Sequence, residues 1–458
     1  MKGKMAAGLV LAVVVGVLLS RLSDLSDAAI WTAVITTLTA TWWVLEPIPI
    51  AVSSIIPFAA FPLVGVATHK EVAGAYGHTL ILLLMGGFIL SKAVETVGAH
   101  RRIAFSMVRL TGGRGRNLVL GFMLASAVCS MWISNTATTL MLLPVAIAVL
   151  QHTEDREIAV PLLLGIAYGA SIGGVGTPIG TPPNVFFVGF FYTKTGYEYG
   201  FLEWMSIAIP VVLLMLPLTW LYLTRHMSPT RKDSGSQIVL PELGLWSSAE
   251  VRVMVIFGLA AMAWMFRSAP YGGWAGLFHM PGAGDSTVAL AAVVLLFLVP
   301  DREGEPLLRW RDAESIPWGL LLLFGGGIAI AQAFKSSGLS DAAGHLLAGI
   351  ASSPILLVIA AIALAVTFMT EVVSNTATTT LLMPLLYAAA EAAHIPPEKI
   401  LIPAALSASC AFMLPVATAP NAIVFGTARI KSGTMVREGV VLNVLGVAVI
   451  TACCYWLI

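Results

Sequence analysis

Long apolar runs separated by short polar breaks occupy most of the chain, and their lengths predict membrane-spanning helices. About 20 apolar residues are needed to cross a hydrocarbon core of about 30 Å. Runs that approach or reach this length include Met5 to Ser20, Trp31 to Leu45, Ala249 to Phe266 and Val288 to Val299. The pattern indicates an all-α integral membrane protein with no room for a soluble catalytic domain.

One polar element occurs twice within this apolar background. Eight of eleven residues recur between 134–144 and 374–384, each copy beginning Ser-Asn-Thr-Ala-Thr-Thr and ending in proline. Two further motifs recur at a similar interval: Gly86-Gly87 as Gly325-Gly326, and Thr181-Pro182-Pro183-Asn184 as Thr418-Ala419-Pro420-Asn421. A glycine-rich helix, a Ser-Asn-Thr element and an interrupted helix therefore form one duplicated unit.

Composition agrees with a polytopic membrane protein, and charge sets its orientation. The chain is 58% hydrophobic and 11% charged, with a net charge of +1. Lys and Arg collect in a few segments that we interpret as loops, and positive loops stay in the cytoplasm. They are Arg101, Arg102, Arg109, Arg114 and Arg116; Arg225, Arg231 and Lys232; Arg302, Arg309 and Arg311; and Arg429, Lys431 and Arg437. The segments 268–284 and 336–354 contain neither Lys nor Arg and are expected to face outward.

Even numbers of crossings between the basic segments predict eleven transmembrane helices, with the N-terminus inside and the C-terminus outside. We interpret the apolar run after Lys2 and Lys4 as the first span rather than a cleaved signal. The flanks Asn117 to Ile133 and Ala137 to Leu150 would be about 25 and 21 Å long as helices. Because neither crosses the core comfortably, we predict a re-entrant hairpin that turns at Ser134 to Thr136.

The second Ser-Asn-Thr element is predicted to cap a matching hairpin that enters from the opposite side. Opposite entry makes the repeats inverted, as in many secondary transporters. The structural alternative for the hairpin tips is helix capping. For the interrupted helices it is a simple proline kink. Two copies of hairpin and broken helix together favour a binding site at membrane depth, where polar groups need partners or a cavity.

The chemistry of these elements suits an anion bound together with cations. Glycines and prolines between Gly173 and Asn184 remove helical hydrogen bonds and free backbone carbonyls, which are expected to bind a cation or water. Carbonyl, hydroxyl and carboxamide oxygens suit Na⁺, and helix N-termini suit an anion. Neither hairpin tip contains Arg or Lys, and neither does the non-helical part of either interrupted helix, here called the first break and the second break. An anionic substrate would therefore depend on helix dipoles, hydroxyls and co-bound cations.

Other polar and aromatic residues receive structural interpretations. Glu371, the acid nearest a tip, is expected to be hydrogen-bonded rather than a proton site, and Lys92 is expected to pair with Glu95. Tryptophans are interpreted as interfacial anchors, namely Trp42, Trp43, Trp204 and Trp274. The four cysteines are interpreted as inert apolar residues. Because no nucleotide loop, metal cluster or catalytic set is found in the sequence, we predict neither an enzyme nor a nucleic-acid-binding protein.

With these motifs the sequence resembles the divalent anion/sodium symporter family. This family includes the bacterial dicarboxylate transporters and the mammalian citrate, dicarboxylate and sulfate carriers of solute carrier family thirteen. The resemblance covers nearly the whole chain, and Ala419 departs from the proline that is common in the family. It implies two sodium sites, the first from Ser130, Ser134, Asn135 and Gly180 and the second from Thr370, Val373, Asn375 and Ala417. It implies substrate binding by Asn135, Thr136, Thr181, Asn375, Thr376 and Thr418.

The resemblance also implies a homodimer in the lipid bilayer and an elevator mechanism. A scaffold domain would comprise 1–77 and 227–317. Connecting helices would lie in 78–115, with a basic interfacial segment, and in 318–351. A transport domain would comprise 116–226 and 352–458, each holding a hairpin and a broken helix.

The function predicted from the sequence is sodium-coupled symport of C4-dicarboxylates such as succinate, malate and fumarate across a bacterial inner membrane. Sodium ions would be co-transported. Symport of sulfate or another divalent anion, sodium-independent dicarboxylate exchange and an anion channel remain the alternatives.

Overall fold

The computed structural model of the protein describes residues 2–112, 115–152, 156–227, 244–268, 272–280, 282–339, 342 and 354–458. Arg114, Arg231, Lys232 and most of the predicted outward segment 336–354 lie outside the described residues.

The regular elements of these residues are helices. The first half of the chain contains α1 (Lys2–Leu22), α2 (Asp27–Leu45), α3 (Ile50–Ser53), α4 (Ile56–Leu63), α5 (His69–Tyr76), α6 (Thr79–Thr96), α7 (Ala99–Leu110), α8 (Gly115–Ser130), α9 (Asn135–His152), a 3₁₀ turn (Arg156–Ile158), α10 (Ala159–Gly174), α11 (Pro182–Thr195) and α12 (Phe201–Leu223). The second half contains α13 (Ser248–Met265), α14 (Gly273–Leu277), α15 (Asp285–Leu298), α16 (Trp310–Ala313), α17 (Trp318–Ser336), α18 (Ile355–Met369), α19 (Asn375–Ala392), α20 (Glu398–Ala408), α21 (Ala419–Phe425) and α22 (Ser432–Leu457).

Seven helices among the described residues are long and apolar enough to cross a membrane. They are Lys2–Leu22, Asp27–Leu45, His69–Thr96 (α5 and α6 taken together), Phe201–Leu223, Ser248–Met265, Trp318–Ser336 and Ser432–Leu457. Several shorter apolar helices accompany them, including both arms of the first predicted hairpin. The chain is thus a multi-pass helical membrane protein, while the count of eleven spans stays a prediction.

Each Ser-Asn-Thr element lies at the turn between two helices. The first joins α8 to α9 and the second joins α18 to α19. The Thr-Pro-Pro-Asn and Thr-Ala-Pro-Asn motifs begin α11 and α21 after non-helical segments. Thr181 and Thr418 are both extended, with φ/ψ of −146°/147° and −138°/154°. Extended backbone is what a following proline favours, and proline fits the first turn of a helix.

The helices pack in two groups. One contains α1 to α6 and α13 to α17, and the other contains α8 to α12 and α18 to α22. Helix α10 packs closely on α8 because Gly165, Gly169 and Gly173 repeat every four residues on one face. A Cβ at Gly173 would collide with the Ala127 backbone. The division into six predicted segments, and the movement of the two groups as separate bodies, stay predictions.

Two sequence-based expectations about position are wrong. Arg101, Arg102 and Arg109 lie on helix α7 rather than in a loop. Trp43 and Trp204 are 1% and 0% exposed and are not interfacial anchors. Each indole N–H has an internal acceptor: Trp43 Nε1 donates to Ser54 Oγ at 2.9 Å, and Trp204 Nε1 donates to the Val175 carbonyl at 3.0 Å. An indole whose N–H is satisfied internally is stable in a core.

Candidate functional site

One cavity of about 260 Å³ lies where both hairpin tips meet both broken helices. All six predicted substrate-binding residues line it, together with three predicted sodium ligands. These residues are Asn135, Thr136, Thr181, Asn375, Thr376 and Thr418, with Ser134, Gly180 and Ala417. The other predicted sodium ligands, Ser130, Thr370 and Val373, lie at the ends of the first hairpin arms or in the turns, next to the tips. The fold therefore brings together residues separated by more than 200 positions.

The serine of each motif caps the second arm of its hairpin. Ser134 Oγ accepts the Ala137 N–H and Ser374 Oγ accepts the Ala377 N–H, each at 3.2 Å. Capping satisfies one of the N–H groups that a helix start leaves without an intrahelical acceptor. Asparagine and threonine follow the cap in the first helical turn. The caps thus hold the polar residues of both tips at the cavity.

Each motif asparagine accepts a hydrogen bond from a hydroxyl of the preceding arm. Ser130 Oγ donates to Asn135 Oδ1 at 2.5 Å, and Thr370 Oγ1 donates to Asn375 Oδ1 at 2.7 Å. The two pairs occupy equivalent positions in the two repeats. Oxygens already in contact form a compact donor set, and such oxygens are the ligands that hard cations prefer.

Two glycines are required beside Asn135. A Cβ added to Gly174 would lie 2.7 Å from Asn135 Oδ1, and one added to Gly180 would collide with the Gly174 carbonyl oxygen. The first break therefore folds back so that its backbone lies against the asparagine. This arrangement places backbone of the first break, at Gly174, close to Asn135 Oδ1, which fits the predicted first sodium site.

Asparagines of the Pro-Asn motifs satisfy many of the freed carbonyls. Asn184 Nδ2 lies 3.1, 3.1 and 2.8 Å from the carbonyl oxygens of Gly174, Val175 and Thr177. Asn421 Nδ2 donates to the carbonyls of Ala411 and Leu414 at 3.0 and 3.1 Å. The expectation that the freed carbonyls need a cation or water is therefore wrong for these five. Sequence reasoning noticed the repeated asparagines and missed this role.

Glu371 organises the second break from the position that Met131 holds in the first repeat. Its carboxylate accepts the N–H groups of Phe412, Met413 and Leu414 at 2.7, 2.8 and 2.9 Å. Asn443 Nδ2 also donates to it at 2.8 Å. These four donors satisfy both oxygens of the buried carboxylate. The structure thus agrees with the hydrogen-bonded role expected for Glu371.

The remaining cavity wall comes from the other helix group. Phe88 and Ser91 on α6 and Pro317 and Leu320 at the start of α17 line it. Ser91 lies in the second half of α6, shortly before Arg101, and Leu320 lies soon after Arg311. The cavity is therefore close to the end of the molecule that carries exposed Arg101, Arg309 and Arg311, here called the basic end.

No Lys or Arg lines the cavity among the described residues. Positive potential there would come from the N-termini of α9, α11 and α19, whose first residues line it. Peptide N–H groups and hydroxyls can bind carboxylate or sulfate oxygens. These are partial charges, and no full positive charge from the described lining residues faces a bound dianion.

Comparison with known proteins connects this geometry with transporters. The family described as "Citrate transporter" matches residues 40–398. A protein named sodium-dependent dicarboxylate transporter SdcS from Staphylococcus saprophyticus is 36% identical, over 97% of this chain and 89% of its own length. Its namesake from Staphylococcus aureus strain USA300 is also 36% identical, over 99% and 92%.

Two solved structures share the fold. The YdaH transporter of Alcanivorax borkumensis aligns with a TM-score of 0.61 at 16% identity, over 85% of this chain and 86% of that one. MtrF of Neisseria gonorrhoeae, described as belonging to a class of antimetabolite efflux pumps, aligns with a TM-score of 0.61 at 13% identity, over 96% and 97%. At these identities the similarity concerns the fold alone.

Proposed function

The chain belongs to the citrate transporter family and to the divalent anion/sodium symporter type, and is a transporter rather than an enzyme; from this premise we propose sodium-coupled symport of C4-dicarboxylates such as succinate, malate and fumarate. The observation that carries the proposal is the single cavity shared by both tips and both breaks. Relatives named sodium-dependent dicarboxylate transporters over nearly the full chain support it.

Sodium coupling follows from the charge of the site. Two carboxylates must be held by hydroxyls, amides and helix ends, because no basic side chain lines the cavity within the described residues. Two Na⁺ ions, one beside Asn135 and one beside Asn375, would neutralise the dianion. The first would be held by Ser130, Ser134, Asn135 and Gly180, and the second by Thr370, Val373, Asn375 and Ala417. Asparagine in each tip then contacts both ion and substrate.

Membrane voltage sets the number of ions required. Moving a dianion inward against 100 mV is opposed by about 4.6 kcal/mol, at about 2.3 kcal/mol per charge. Two Na⁺ ions cancel this cost and a third would make uptake electrogenic. Uptake that accelerates with an inside-negative potential would therefore indicate at least three Na⁺ ions per dicarboxylate.

We place the protein in a bacterial inner membrane as a homodimer, with the basic end and the N-terminus in the cytoplasm and the C-terminus outside. The α1 to α6 and α13 to α17 group would be the scaffold with its connecting helices. The other group would carry the cavity across the membrane as an elevator. On this placement the cavity would face the cytoplasm, because its wall includes the parts of α6 and α17 that lie nearest the basic end.

Uptake of labelled succinate by proteoliposomes tests the proposal. We expect saturable uptake with an inward Na⁺ gradient and none when choline replaces Na⁺. Equal uptake in choline, stimulated by preloaded succinate, would indicate an exchanger instead. Stronger competition by sulfate or citrate than by malate would change the substrate class, and large ohmic currents without saturation would indicate a channel.

A further inference from the structure

Polar contacts join the two helix groups at the end opposite the basic end. Thr193, near the end of α11, lies 3.2 Å from His78, the residue that caps α6. His78 Nδ1 accepts the Leu80 N–H, and the Thr193 hydroxyl already donates to the Gly189 carbonyl. His78 Nε2–H is therefore the donor to Thr193.

The next residue of α11 binds the other connecting helix. Lys194 Nζ donates to the Ala331 carbonyl of α17 at 2.9 Å. Its ammonium group also lies 5.9 Å from the Phe190 ring and 5.7 Å from the Tyr387 ring. The end of the first broken helix is thus tied to α6 and to α17 by neighbouring side chains.

An ion pair continues this line of contacts. Arg267, just after α13, contacts Glu198 in the loop after α11, with Nη2 to Oε1 at 2.9 Å. Arg267 Nε also donates to Asp285 Oδ1 at 2.6 Å. The side chains of Arg267 and Asp285 are 11% and 7% exposed, while that of Glu198 is 41% exposed. Asp285 begins α15 and belongs to the same helix group as Arg267.

Of the two acidic partners of Arg267, only Glu198 lies in the other helix group. When Glu198 moves away, Arg267 keeps Asp285, so neither of the buried charges is left unpaired, and Glu198 is free to become hydrated. Breaking a buried pair without such a substitute is strongly unfavourable. The adjoining interface is aromatic, with Phe201 stacked on Trp264 at 5.1 Å and Trp132 against Phe257 at 5.4 Å.

We propose that Glu198 and Arg267 form an outer latch that exists only while the cavity faces the cytoplasm, and that Asp285 holds Arg267 after the latch opens. The proposal rests on the proposed function, in particular on movement of one helix group past the other. Glu198 and Arg267 are positioning residues that do not line the cavity. They set the population of the cytoplasm-facing state and so the apparent affinity for external substrate.

A crosslink tests whether the contact must open in each cycle. The Glu198→Cys/Arg267→Cys double variant is treated with a short bismaleimide, and the single variants treated alike are controls. The four native cysteines are buried, which favours reaction at the introduced pair. We expect crosslinked protein to retain sodium-dependent succinate binding but to lose uptake. Undiminished uptake after complete crosslinking would overturn the latch and leave the proposed function intact. Absence of sodium-dependent succinate uptake by the unmodified protein would overturn the function and with it the latch.

A charge substitution tests the effect on affinity. Glu198→Gln weakens a partly exposed pair, which limits the population shift to about fivefold. The external half-saturation concentration should fall by up to that factor, because less free energy is needed to reach the outward-facing state. Glu203→Gln is the matched control, since within the described part of the chain the Glu203 carboxylate bonds only to its own segment, to the Tyr197 hydroxyl and the Gly200 N–H. Equal half-saturation in both variants and the unmodified protein would contradict the proposal.

Discussion

Asn184→Ala is the sharpest test of how the first break is held together. Asn184 is fully buried, and its amide serves three carbonyls. After truncation, the Val175 carbonyl keeps Trp204 and the Thr177 carbonyl keeps the Gly180 N–H at 3.3 Å. Only the Gly174 carbonyl loses every donor found among the described residues. One orphaned buried carbonyl costs about 1 to 3 kcal/mol and a weakened bond about 1 kcal/mol more, so we expect about 2 to 4 kcal/mol of destabilisation.

The functional consequence follows from the position of Gly174 next to Asn135 and Gly180. A released Gly174 carbonyl should reorient and disturb the first sodium site, raising the sodium half-saturation by about tenfold, equivalent to about 1.4 kcal/mol. Thermal unfolding in detergent and uptake against sodium concentration measure the two effects. Val185→Ala is the control, because this neighbour is equally buried and apolar. It should lower stability by about 1 to 3 kcal/mol without changing sodium dependence. Unchanged stability and sodium dependence in Asn184→Ala would refute the reasoning.

Three further predictions concern the tips and the breaks. Asn135→Ala and Asn375→Ala should each abolish sodium-dependent succinate binding while size-exclusion chromatography shows an intact protein, and normal transport by either would refute the site assignment. Gly180→Ala should raise the sodium half-saturation at least about tenfold, because its Cβ would collide with the Gly174 carbonyl; Gly74→Ala, with open space around it, should behave as the unmodified protein. Glu371→Gln replaces one accepting oxygen by an NH₂ group, so the Leu414 N–H loses its acceptor and stability should fall by about 1 to 3 kcal/mol while sodium-driven uptake persists. Uptake that is driven by protons in the unmodified protein and lost in this variant would show that Glu371 is a proton site instead.

Much of the fold was predictable because its signals are local. A run of apolar residues specifies a buried or membrane helix wherever it occurs. Serine at a tip and threonine before proline specify helix starts through their own backbone geometry. The two arms of the first hairpin, Gly115–Ser130 and Asn135–His152, therefore lie close to the predicted flanks. Tryptophan is different, since its position depends on whether an acceptor is available in the core, and so Trp204 was misassigned.

By itself, the sequence determined that this is a helical membrane protein with a duplicated polar unit, and it identified the residues of both tips. Tertiary structure alone decided that both copies line one cavity, that Asn184 and Asn421 satisfy the broken backbone, and that Arg267 contacts both Glu198 and Asp285. The physical reason is that capping and hydrophobic burial act over a few residues. Hydrogen bonds between distant segments depend instead on where packing brings a donor within about 3 Å of an acceptor.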